Sequence, residues 1–95
     1  MKKLFDSLRT PTHERIELAV KKVADCAADV SYHRYMHDYY YEERTKITPQ
    51  ASAANAYEYA RLFGKQEEHQ AERTQAERKH TEAQAKVSAL RKAHA

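Results

Sequence analysis

"ERTKITPQAS", residues Glu43 to Ser52, holds the second of two prolines in the chain and decides how the chain is divided. Proline disfavours helical geometry in the residue before it, so a helix arriving from the N-terminal side should end by about Ile47. Thr48 followed by Pro49 also supplies an N-cap and a proline for the first helical position, the signature of a new helix. The earlier pair Thr10–Pro11 repeats that signature. The chain therefore reads as one helical domain over 1–95: a short helix near 2–8, a long one over 11–44 and another over 49–92. The connection Thr45–Thr48 is short enough to make the two long helices antiparallel neighbours. Gly64 is the place where the last helix is expected to kink if it kinks anywhere, at a cost of about 1 kcal/mol relative to alanine.

Composition supports this division. There is a single glycine in the chain, and sixteen alanines accompany abundant Glu, Gln, Lys and Arg, all good helix formers. Hairpin turns and glycine-rich loops have almost no material. Apolar residues make up 41% of the chain, but much of that is alanine, which buries little area. So thin a core leads us to expect an all-α fold, a short N-terminal helix followed by a long antiparallel helical hairpin, completed by self-association or by a partner protein.

On a helical wheel Ile16, Val20, Val23, Ala27 and Val30 form one continuous stripe, widened by Ala19 and Cys26. Just beyond it, "VSYHRYMHDYYYEERTK" (30–46) gathers five of the seven tyrosines. Tyr32, Tyr35, Met36 and Tyr39 make a second stripe on roughly the opposite side, while Arg34, His37 and Tyr41 continue the first. The apolar face is thus expected to change near Ser31, within a continuous helix because no Gly or Pro interrupts it. A hinge about Lys46 would lay the tyrosines alongside "ASAANAYEYA" (51–60) and bring Leu4, Phe5 and Leu8 near Val87 and Leu90. It would also set the aliphatic stripe against the polar segment Phe63–Glu77. Burying a Val or Ile is worth about 1.5–3 kcal/mol, so that mismatch is a further reason to expect a second copy or a partner on the stripe.

Catalytic chemistry finds little support. Cys26 falls on the apolar stripe, where a thiol is inert, and no phosphate-cradling loop exists. We expect no enzyme activity and no cofactor. The residues of ligand type that share one helix face are Cys26, Asp29, His33 and His37; two histidines four apart can share Zn²⁺. HExxH and paired-cysteine patterns are absent, and the expectation is no metal centre. A net charge of +3 and a pI near 9.0 admit a nucleic-acid surface around His33, Arg34 and Arg44, but Asp29, Asp38, Glu42 and Glu43 oppose phosphate there. "MKKLF" opens like a signal peptide, yet Asp6, Ser7 and Arg9 interrupt it, and one cysteine suits a reducing compartment; the expected location is cytoplasmic, with no membrane contact.

Tyrosine is favoured at protein interfaces because its ring is apolar and its hydroxyl can hydrogen-bond. The expected function is a non-enzymatic protein-binding module, such as a small inhibitor or modulator of a host enzyme of viral or mobile-element type. Its contact residues would be Tyr32, Tyr35, Met36, Tyr39 and Tyr40. The alternative is a structural protein that homo-oligomerises through Ile16, Val20, Val23, Ala27 and Val30; a nucleic-acid-binding hairpin comes third.

Overall fold

The structure, a computed structural model, describes residues 12–93. They form two α-helices and no strand: α1, Thr12–Thr45, and α2, Ala53–Ala93. The expected helix at 2–8 and the Leu4, Phe5 and Leu8 cluster lie outside the described residues. α1 runs unbroken through Ser31, and α2 runs unbroken through Gly64.

The helix boundary after the loop is a correction. α2 starts at Ala53, not Pro49. Pro49 occupies the second position of a turn closed by Ala51 N–H donating to the Thr48 carbonyl at 3.1 Å, a place its fixed φ suits as well as a helix start. Ser52 is the cap: its Oγ accepts from Asn55 N–H at 3.0 Å, and its carbonyl accepts from Ala56 N–H at 3.0 Å. Asn55 Nδ2 donates to the Thr48 carbonyl at 3.2 Å and ties the turn to the helix it precedes.

The longer connection moves the register. Arg44 meets Tyr59, His37 meets Gln66 and His33 meets His69, so the helices run antiparallel, but His37 lies far from the Ala56 that a hinge at Lys46 would give it. The tyrosine segment faces the region of Leu62–Ala71 instead of 51–60. The N-terminal half of α1 faces Arg73–Leu90, where Ala19 lies beside Ala83 and Cys26 beside Ala76. The expected mismatch between stripe and polar segment is thereby largely relieved.

The packed face of α1 does not change near Ser31, which is a second correction. Buried and half-buried positions recur at alternating steps of three and four along the whole helix: Ile16, Ala19, Val23, Cys26 and Val30, then His33, His37, Tyr40 and Arg44. Arg34 and Tyr41, expected to continue the stripe, are exposed. α2 keeps the same spacing, from Tyr59, Leu62, Gln66 and His69 to Ala76, Ala83, Val87 and Leu90. This is the seam of a two-stranded coiled coil, in which a repeat of seven keeps one face toward the partner. Its loop-distal half is built mainly of small and aliphatic side chains, with Arg73 and His80 half-buried at the same spacing. Its loop-proximal half is built of imidazoles, an amide, phenols and a guanidinium around the buried Leu62.

Candidate functional site

The polar half of the seam closes its hydrogen bonds across the two helices. Gln66 is buried, and its amide orientation is assigned by its neighbours: Arg44 Nε can only donate, so the Gln66 Oε1 faces it, at 3.0 Å. Gln66 Nε2 then donates to His37 Nε2 at 3.3 Å, which assigns the ring proton of His37 to Nδ1, where Asp38 Oδ1 accepts it at 3.1 Å. Arg44 also donates to the Tyr59 hydroxyl at 2.6 Å.

One helical turn farther from the loop, His33 and His69 approach each other. Their Nδ1 atoms are 3.0 Å apart, and Glu72 Oε2 lies 3.1 Å from His33 Nδ1 and 3.8 Å from His69 Nδ1. His33 and His69 occupy seam positions on opposite helices, while Glu72 stands three residues after His69 and reaches in from the flank. The two side chains are 19% and 14% exposed, and Glu72 is 55% exposed. Tyr40 stacks on the His69 ring at 5.7 Å, and Tyr32 sets its edge toward both imidazoles at 5.0 and 6.0 Å. A cleft of about 140 Å³ adjoins the cluster, lined by Cys26, Asp29, Gln75 and Lys79 as well as His33 and Glu72.

Of the four residues that sequence spacing offered as ligands, only His33 belongs to this cluster. Cys26 is buried in the seam, Asp29 lines the adjoining cleft, and His37 is engaged by Gln66 and Asp38. Spacing within one helix could not find His69 and Glu72, because they come from the other one. The available signal was "HQAE" (69–72), a histidine and a carboxylate one turn apart, whose partner is fixed only once the register is known.

The tyrosines divide. Tyr40 enters the seam, and Met36 is half-buried beside it. Tyr32, Tyr35 and Tyr39 are 55%, 68% and 46% exposed and share one flank of α1. Ile16, Val23, Val30 and Ala27 are half-buried along or next to the seam, whereas Val20 is exposed. The aliphatic stripe is therefore mostly the internal seam of the hairpin, not a second face.

No protein-family model, curated protein or solved structure matches this chain, and the functional reading rests on its own geometry. Neither described helix is long and apolar enough to cross a membrane.

Proposed function

We propose that the chain is a non-enzymatic protein-binding module whose docking face is the tyrosine flank of α1. The observation that carries this reading is the exposure of Tyr32, Tyr35 and Tyr39 on one flank, while the seam is satisfied on another face. Heptad spacing places Asp25, Asp29 and Glu42 on that same flank and Arg34 on the opposite one. Between Asp25 and Glu42 the flank is aromatic and acidic, with no Lys or Arg among its positions. Such a face suits a helix-in-groove contact with a larger protein whose apolar groove has a basic rim. It repels a phosphate backbone, so the nucleic-acid alternative is weaker. Occupation of a basic groove on a host enzyme would make the chain an inhibitor or modulator of that enzyme.

A photo-crosslinking residue at position 35 identifies the occupant, and affinity for the purified occupant tests the face. The double variant Tyr35→Ala, Tyr39→Ala should keep its helicity and lose about thirtyfold or more in affinity, the cost of interface tyrosines at well over 1 kcal/mol. Binding that survives the double variant, or helicity that collapses in it, refutes this assignment. Self-association is the second reading, favoured by the absence of any fully buried large side chain among the described residues. A crosslink from position 35 to another copy of the chain would select it.

A further inference from the structure

We propose that His33, His69 and Glu72 bind one Zn²⁺ and so clip α1 to α2 midway along the hairpin. Zn²⁺ takes imidazole nitrogens and carboxylate oxygens at about 2.0–2.2 Å, so donors around a tetrahedral ion stand roughly 3.3–3.6 Å from one another. The three separations here, 3.0, 3.1 and 3.8 Å, straddle that range. Sub-ångström adjustments of side chains bring all three to it.

Proton accounting points the same way. Each neutral imidazole can offer Nδ1 as an acceptor, and an ionised carboxylate only accepts. If one ring carries its proton on Nδ1, that single hydrogen faces two acceptors, the other Nδ1 and Glu72 Oε2. If neither does, three lone pairs converge with nothing between them. One cation satisfies all three, with both rings in the Nε2–H form.

The surroundings fit a structural ion with an open position. The stacked Tyr40 and the edge of Tyr32 hold the imidazole planes. The adjoining cleft has room for a water as fourth ligand, with the Asp29 carboxylate on its wall. Two nitrogens and one carboxylate suit Zn²⁺ better than Mg²⁺ or Ca²⁺, which prefer all-oxygen sites. The seam at this level has no aliphatic side chain, and a bound metal would supply the cross-helix link that the core does not, as it does in other small domains. This inference does not depend on the docking face.

Tag-free protein competing with a chromogenic chelator for Zn²⁺ is the test. We expect one ion per chain, no binding of Mg²⁺ or Ca²⁺, and a Co²⁺ adduct with the intense visible bands of a four-coordinate ion. His33→Ala and His69→Ala should each lose about a hundredfold or more in Zn²⁺ affinity, beyond the effect of losing a supporting hydrogen bond. His37→Ala should bind as the parent does, and the thermal midpoint of the parent should rise with Zn²⁺. Wild-type protein that fails to take up Zn²⁺ stoichiometrically overturns the proposal without any variant. So does a His69→Ala protein, helical by circular dichroism, that binds undiminished.

Discussion

At Arg44 three rings and two acceptors surround one guanidinium. Its Cζ lies 5.0 Å from the centroid of Phe63 and 5.3 Å from those of Tyr41 and Tyr59, within cation–π range. Its Nε and Nη1 donate to Gln66 and Tyr59. Arg44→Met keeps the stem but strips Gln66 Oε1 of its donor in a buried place. We expect a loss of about 2 kcal/mol in urea unfolding, most of it from that orphaned carbonyl. At the exposed end of the scale, the Arg61 fork on Glu58 holds that carboxyl below its ordinary value of 4.5. A depressed folded-state pKa adds stability above the unfolded value, and the addition is lost as pH falls through the folded one. Glu58→Gln should therefore melt slightly below the parent at neutral pH and low salt. The difference should close as the solution is acidified past 4.5, or as salt is added.

The two helices were legible because they are long, rich in helix formers and bounded by Pro and Thr signals. The register was not, because Thr48–Pro49 serves a turn as readily as a helix start and Ser52 stood three residues farther on as a better-placed cap. Removing that cap tests the point: Ser52→Ala should cost about 1 kcal/mol, while Thr48→Ala, whose backbone carbonyl is the group in use, should stay within about 0.5 kcal/mol. The polar half of the seam was hidden for a different reason. His33, His37, Gln66 and Arg44 rank as surface residues by hydropathy, and only their pairing across helices makes them interior. For the same reason the His33, His69 and Glu72 cluster was one-third visible. At Gly64 a Cβ would meet nothing within 4 Å, and φ there is not positive. Gly64→Ala should raise stability by roughly 0.5–1 kcal/mol in a thermal melt, the helical preference of alanine with no steric charge against it.

As a whole the described chain is a ribbon, 69 × 28 × 13 Å along its principal axes. Its Cα radius of gyration of 21.0 Å far exceeds the ~12 Å of a compact chain of this length. Domains usually close a core between two packed layers, and here there is one. Unfolding should accordingly expose little surface: the urea slope of the isolated chain should lie near or below 1 kcal/mol per molar, the bottom of the range for small proteins. If a different protein is the occupant of the tyrosine flank, the midpoint should not move with chain concentration but should rise when the occupant is added.

The antiparallel seam also sets an order of events. Its rungs join residues 15, 29 and 36 apart in sequence, from Arg44–Tyr59 through His37–Gln66 to His33–His69, and the span keeps widening toward Ala19 and Ala83. Loop-closure entropy grows only logarithmically with span, and each rung formed shortens the loop left to close for the next. The chain should thus fold as a zipper that starts at the turn, and open as one that frays from the far end. Hydrogen exchange would then read as a gradient along both helices, with amides near Ala19 and Val87 exchanging first. An ion held at His33 and His69 would be a stop on that zipper, dividing a segment that breathes from one that stays shut.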